Sequence, residues 1–299
     1  MPQDAPNIAI LGHDAGDGFL PFFQERAAGR FNLIGVDSKG LQIDHGAAAH
    51  ESVSLDEIDF AVIRDLGDQR QRSVLEALER RIPFLNSVEA VAISTDKVLQ
   101  SGRFRAHGVA IPDFVVVDHP DRIVAVEQSF GPPYVLKDPH LECGTGVFML
   151  ASSAELEDML YYIWEVAPQR YPLLVQQYIA CKGGEQRDER VVILDGEVLA
   201  VVGRVCGDRF KCNVFQGGRL VSSEISTAEA DLARAALAAV GLRYGGVDLI
   251  RDASGQSFVL EVNASPGGLD LIFDEFGIDI LASVADHIEL RLGDRVPTV

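Results

Sequence analysis

The stretch Gly245–Arg251, then a turn, then Phe258–Gly267 constrains this chain more than any other. Val247 to Ile250 and Phe258 to Val262 are apolar runs of strand-forming residues. Asp252, Ser254 and Gly255 between them are turn formers, so the pair predicts a hairpin. Asp248, Glu261 and Asn263 are the polar residues that interrupt the runs. Glu261 and Asn263 stand two apart on one strand and so share a face. With Asp248 facing the same way across the hairpin, three hard oxygen ligands converge. Such a set suits Mg²⁺, which takes a few carboxylates and fills its shell with water and phosphate oxygens. The bland alternative is an amphipathic hairpin with a wet face, which unlike charges would suit better than two carboxylates beside an amide.

A chain of 299 residues, 47% hydrophobic and 24% charged, is long enough for two or three compact lobes. No apolar run approaches a membrane span, and Met1-Pro2-Gln3-Asp4 is no signal peptide, so a cytoplasmic protein is expected. The net charge of −19 argues against nucleic acid, which needs a basic face, and would repel an acidic protein tail. Small molecules are the expected partners. Cys143, Cys181, Cys206 and Cys212 form no CxxC pair and no zinc spacing, and are expected as free thiols.

Along the chain, Asn7–Leu11, Phe31–Val36, Phe60–Ile63 and Ile82–Leu85 read as strands. Helices are expected at Phe19–Ala28 and Gln69–Arg81. This alternation predicts a small parallel sheet, with ligands beyond the carboxyl ends of its strands. A helix opens near Ser94-Thr95-Asp96-Lys97, capped by Thr95 or Ser94, and closes at Gly108. Tyr134–Lys137 is a strand ending in lysine, followed by a loop whose Gly144 and Gly146 let backbone N–H groups approach phosphate. Only Lys39, Lys97, Lys137, Lys182 and Lys211 are lysines. Lys137, closing an apolar strand, is hard to explain as a surface residue, because a buried cation needs a partner. Asp195-Gly196-Glu197 joins two strands as a hairpin. Helices are expected at Thr227–Val240 and Asp279–Arg291.

The motif GGVDLIR…FVLEVNASPG resembles the metal-binding signature of the ATP-grasp ligases, RimK-like branch, and further motifs over residues 86 to 268 keep the family's order. The resemblance implies an α+β ATP-grasp fold: a small N-terminal α/β lobe (1–90), a central lobe (91–171) and a C-terminal lobe (172–299), the last two clamping ATP. It places Lys97 and Lys137 at the phosphates, with the loop of Gly144 and Gly146 over them. Gln176, Gln177, Tyr178 and Ile179 match the hinge that pairs with adenine, with Gln177 where the family usually carries an acid. Asp188 matches a ribose contact and Arg190 a forked phosphate donor. Arg204, Lys211 and Asn213 match groups set against the transferred phosphoryl and the reacting carboxylate. Asp248, Glu261 and Asn263 would hold two Mg²⁺ ions, or Mn²⁺ in their place. Cys212 is expected as a small buried residue. Asp14 or Asp17 of the first lobe would meet a substrate ammonium. The implied reaction is ATP-dependent carboxylate–amine ligation: ATP phosphorylates a carboxylate, and an amine displaces phosphate. A small amino-acid-like substrate is expected, joined to a second molecule or closed on itself as in formation of the antibiotic D-cycloserine. Modification of a protein or peptide tail and a nucleotide-binding regulator without turnover are the alternatives. A homo-oligomer is left open.

Overall fold

The structure, a computed structural model, describes residues 5–12, 18–44, 47–50, 53–142, 144–181, 186–206, 210–212, 214 and 217–293. The chain opens with β1 (Asn7–Leu11), α1 (Phe19–Arg26), β2 (Asn32–Val36), β3 (Leu41–Asp44), β4 (Ala47–His50), β5 (Phe60–Ile63) and α2 (Gln69–Glu79). β1, β2 and β5 form a parallel sheet in the order β2-β1-β5. β1 is its centre, and Ile8 to Leu11 are wholly buried, which is why the run is continuously apolar rather than alternating. The strand expected at Ile82–Leu85 shrinks to one bridge between Ala61 and Phe84. Pro83 has no N–H with which to extend the ladder. β3 and β4 form a separate hairpin that the sequence reading did not anticipate.

α3 (Val88–Ser94) and α4 (Lys97–Ala106) stand where one helix from Ser94 was expected. Asp96, not Thr95 or Ser94, caps α4: its carboxylate accepts from the Val98 and Leu99 amides at 2.8 and 3.0 Å. Next come β6 (Phe114–Val117), α5 (Ile123–Ser129), β7 (Tyr134–Lys137), β8 (Val147–Leu150), α6 (Ser153–Val166) and β9 (Leu173–Gln177). Their four strands form an antiparallel sheet in the order β6-β9-β7-β8. Val126, Leu136, Leu156, Leu160 and Val175 give that sheet and its helices a core of their own.

The rest comprises β10 (Arg187–Leu194), β11 (Glu197–Val205), β12 (Arg219–Ser222), α7 (Thr227–Ala239), β13 (Tyr244–Arg251), β14 (Ser257–Asn263), α8 (Leu269–Phe276) and α9 (Ile280–Gly293). Its antiparallel sheet runs β12-β11-β10-β13-β14. Asp195 and Gly196 turn the β10–β11 hairpin with φ of 46° and 84°, as a primed two-residue turn requires. The first and last sheets share two cores. Leu11, Ile63 and Leu75 pack in one cluster with Val191, Val247 and Val262, and Ile8, Phe23 and Phe60 pack in another with Val192, Leu281 and Ile288. Asn86 ties the same two units together by polar bonds. It donates to the Tyr244 carbonyl at 2.8 Å and accepts from the Arg243 and Tyr244 amides at 2.9 and 3.0 Å. The middle sheet, with its separate core, therefore faces a composite body across a cleft. Two cysteines depart from expectation. Cys206 and Cys212 form a disulfide, with their Cα atoms 4.4 Å apart. Cys181 remains a free thiol, and Cys143 lies outside the described residues.

Candidate active site

The register of the last sheet assembles the site. On β13 and β14, Asp248 stands directly opposite Glu261 and Gly246 opposite Asn263. On the other side of β13, Asp248 stands opposite Arg190, and on the other side of β10, Asp188 stands opposite Arg204. Asp188 and Arg190 are two apart on β10 and share a face. Two neighbouring rungs of one sheet face thus carry Arg204, Asp188, Arg190, Asp248 and Glu261. Gly245 is needed beside them, since a Cβ there would lie 2.8 Å from the Asn263 carbonyl oxygen.

Cross-strand neighbours of opposite charge pair. Arg190 donates to both oxygens of Asp248 at 2.8 and 2.9 Å. Arg204 donates to Asp188 at 2.5 Å and to Asp248 at 2.8 Å. Burial alone would raise Asp248, but Arg190 and Arg204 outweigh it and hold that carboxyl well below the usual range. Burial pushes Asp188 up to about 6, against the pull of Arg204 and with the help of the Asp248 charge. Burial also works against the Arg204 charge, yet the two carboxylates raise its pKa further still.

The middle sheet supplies the opposite wall. Lys137 ends β7 between β8 and β9, and its ammonium is buried. Burial lowers its pKa to about 8, with Lys97 adding to the effect and Glu261 and Asp248 opposing it. Lys97, at the start of α4, donates to the Leu141 carbonyl at 2.5 Å. The loop of Leu141 closes at Gly146, whose carbonyl accepts from the Asp138 amide at 2.9 Å. Gly146 has φ of +67°, and a Cβ there would meet Leu141 and Asp138 at 2.8 and 2.9 Å, so glycine is required. Lys211 reaches across to the Gly144 carbonyl at 2.8 Å, and burial lowers its pKa.

One cavity between the two sheets is lined by Lys97, Lys137, Gly144, Gln176, Gln177, Tyr178, Ile179, Asp188, Arg204, Lys211, Asp248 and Glu261. These are most of the residues singled out from sequence. Arg190 and Asn263 line a second cavity, which shares Arg204 and Glu261 with the first. Gly146 lines neither cavity. The Gln177 amide is already given to the Asp113 carbonyl at 2.7 Å, and the Ile179 carbonyl accepts from Gln186 at 3.3 Å. Asn213, Asp14 and Asp17 lie outside the described residues.

The sequence reading missed the apolar part of the first cavity: Val135, Val147, Ile250, Leu260 and Phe210. Val135 was findable, because it stands two before Lys137 and shares its face. Leu260 was not, because alternation puts it opposite Glu261. A bulge after Asp248 pairs Leu249 with Val259, so Leu260 is the extra residue and turns into the cavity.

The donor set for a divalent ion consists of two carboxylates and the Asn263 amide. Among the described residues no three or more His, Cys, Asp or Glu side chains gather as an ion site. A carboxylate has about four lone-pair positions, and three of those on Asp248 accept arginine N–H groups. One position on Oδ1 remains, enough for Asp248 to serve as a monodentate ligand. Glu261 faces the same cavity, and Asn263 donates to it at 3.4 Å. The residues fit Mg²⁺ on these terms. Among the described residues no helix is long and apolar enough to cross a membrane.

Two sheets facing each other across a cleft lined with lysines, arginines and carboxylates are the architecture of the ATP-grasp enzymes. The family of RimK-like ATP-grasp domains matches residues 94–288. The tetrahydromethanopterin:alpha-L-glutamate ligase of Methanocaldococcus jannaschii is 32% identical over 235 residues, covering 78% of this chain and 79% of that protein. Some relatives are longer: the chain spans 44% of one from Shewanella halifaxensis. The ATP-grasp ligase PsnB, solved with a minimal precursor, matches with a TM-score of 0.74 at 19% identity, over 96% of this chain and 99% of that one. The D-cycloserine synthetase DcsG matches with a TM-score of 0.71 at 18% identity, over 94% and 99%. The chain belongs to the RimK-like ATP-grasp family and is an ATP-dependent carboxylate–amine ligase.

Proposed function

We propose that the enzyme activates a small amino-acid-like carboxylate and joins it to an amine, the substrate being a free molecule rather than a protein tail. A carboxylate oxygen attacks the γ-phosphorus of ATP, the bond to the departing ADP breaks, and an acyl phosphate results. An amine nitrogen then attacks the acyl carbon, the C–O bond to phosphate breaks, and the nitrogen gives up a proton. Lys97 and Lys137 bind the standing phosphates, and Lys211 reaches them from the facing loop. Arg204 is set where charge develops during transfer. The segment Gln176–Ile179 holds the adenine edge, and Asp188 accepts from the ribose. Asp248, Glu261 and Asn263 would hold Mg²⁺, which would supply positive charge against the phosphates.

The observation that carries this reading is the larger cavity opening from Arg204 and Glu261, the two residues it shares with the cation-lined cleft. A carboxylate seated there would lie next to the γ-phosphate. The net charge of −19 supports a small substrate over an acidic tail. Free amino acids and amino-acid derivatives should therefore elicit ADP release without a protein acceptor, and product mass distinguishes ring closure from joining of two molecules. Glu261→Gln should fold and bind nucleotide yet lose ADP formation. Turnover only when a protein or long peptide is added would overturn the substrate assignment. Near wild-type ADP formation by Glu261→Gln in saturating Mg²⁺ would overturn the metal assignment.

A further inference from the structure

Three cysteines meet at one residue of the nucleotide cleft, Gln186. The sulfurs of Cys206 and Cys212 lie 3.1 and 3.3 Å from its carbonyl oxygen, and the Cys181 thiol donates to its side-chain oxygen at 3.0 Å. Gln186 and Cys212 both line the cavity between the two sheets. The disulfide is otherwise buried, with Cys206 7% and Cys212 5% exposed. A small thiol therefore reaches it through the cleft, and at Cys212 first.

The bond joins the surroundings of two cations. Cys206 directly follows β11 and stands two residues after Arg204, whose guanidinium holds Asp188 and Asp248. Cys212 directly follows Lys211, which donates across the cleft to the Gly144 carbonyl at 2.8 Å. The cross-link thus ties the chain beside Lys211 to the end of a strand in the last sheet. The two cysteines are 6 apart in sequence, and closing that loop removes chain freedom. Lys211 then meets phosphate with its backbone already ordered, which lowers the cost of binding. The reduced pair is also provided for. Each thiol would have the Gln186 carbonyl in reach as an acceptor, and that carbonyl already accepts from the Cys206 amide at 3.3 Å.

We infer that the Cys206–Cys212 bond is a thiol–disulfide switch on the nucleotide site. Oxidised, it holds Lys211 in place at the phosphates. Reduced, it frees Lys211, and ATP binds more weakly. The reductant is a low-molecular-weight thiol of the glutathione class. Its thiolate attacks Cys212 Sγ, the Sγ–Sγ bond breaks, and Cys206 leaves as a thiolate and takes up a proton. A second small thiolate attacks the small thiol's own sulfur in the mixed disulfide. Cys212 leaves and takes up a proton in turn. The small-molecule disulfide departs, two electrons having passed to the protein sulfurs. The inference rests on the placement of Lys211 at the phosphates proposed above.

Calorimetry of the full chain with Mg²⁺ and a non-hydrolysable ATP analogue tests it, after equilibration in glutathione buffers of graded reduced-to-oxidised ratio. Alkylation and mass analysis count the free thiols in each sample. The reduced protein should bind the analogue about 3- to 40-fold more weakly, the upper figure being the loop-closure entropy of the cross-link. By reciprocity, saturating analogue should shift the thiol–disulfide equilibrium toward the disulfide by the same factor. Cys206→Ser should bind in every buffer as the reduced wild type does, and Cys181→Ser should keep the whole redox response. Lys211→Met should bind weakly, and equally in both states. The inference is overturned if oxidised and reduced wild type bind alike, or if glutathione leaves the bond intact. It is overturned too if the response is lost in Cys181→Ser or persists in Lys211→Met. Reduced protein and Cys206→Ser that both lose their circular dichroism would show a structural bond and no switch. Lys211→Met that binds as tightly as oxidised wild type sinks the placement of Lys211 itself. Equal binding by both wild-type states, with Lys211→Met weakened, sinks the switch alone.

Discussion

Lys137→Met should make the protein more stable and the nucleotide site weaker. The ammonium of Lys137 is buried at the end of β7, and its pKa falls from 10.5 to about 8, chiefly through burial. That fall corresponds to about 3 kcal/mol lost by the charged form on folding. Between about pH 8 and 10.5 the unfolded chain holds the extra proton, so stability rises with pH across that window. Below pH 8 the full penalty is present. Methionine has a similar length and no charge, so it removes the penalty. The shift already includes the attraction of Glu261 and Asp248, so the gain is at most about 3 kcal/mol. For a chain of 299 residues that is a rise of at most about 5 °C in melting temperature. Denaturation of the nucleotide-free protein at pH 7 measures it. The same variant should bind ATP about 10- to 100-fold more weakly, the worth of one charge-assisted bond to phosphate. Calorimetric titration reads that second effect. A Lys137→Met protein less stable than wild type at pH 7 would refute the reasoning, because the ammonium would then be a satisfied part of the fold. Unchanged ATP affinity would place its charge outside the phosphate site.

Arg204→Ala should cost about 3–5 kcal/mol, because it leaves two buried carboxylates, Asp188 and Asp248, short of a partner. Denaturant midpoints check this, a loss below 1 kcal/mol would contradict it, and turnover per folded molecule should fall more than ATP affinity. Asn86→Ala should cost about 2–4 kcal/mol by removing three hydrogen bonds, two of them buried, at the start of β13. Urea denaturation measures that change, and a variant within 0.5 kcal/mol of wild type would show that the tie between the two units is dispensable.

Some elements were legible because one local signal decides them. The buried run of β1, the Asp195-Gly196 turn and the alternation of Glu261 with Asn263 needed nothing from elsewhere in the chain. The strand at Ile82–Leu85 failed because one proline outweighs its apolar neighbours. The cap of α4 failed because three residues in a row, Ser94, Thr95 and Asp96, can all cap, and only the break after α3 selects among them. The candidate site residues were singled out one by one, as a resemblance mapped onto positions. What was not legible is that Arg190, Arg204, Asp188 and Asp248 hold one another. That follows from the register of β10, β11 and β13, which a sequence does not print. The disulfide of Cys206 and Cys212 was hidden too, since spacing alone does not say that two cysteines meet.

The register also bears on pH. Asp248 is held far below the usual carboxylate range and Arg204 far above neutrality, so neither changes charge under ordinary conditions. Two groups of the same cavity do. Burial raises Asp188 to about 6 and lowers Lys137 to about 8. Below the first value Asp188 becomes neutral, and Arg204 keeps only Asp248 as an ionised partner. The cation is then held less firmly on the face that meets nucleotide. Above the second value Lys137 becomes neutral, and the phosphates lose one buried charge. Only between the two values are both groups ionised, so kcat/KM for ATP should trace a bell with limbs near pH 6 and 8, the values of the free enzyme. The limbs carry separate signatures. Lys137→Met should flatten the alkaline limb and leave the acid limb in place, and Asp188→Asn should do the reverse. A profile flat from pH 5 to 9 would sink the assignment, and so would an alkaline limb that survives in Lys137→Met.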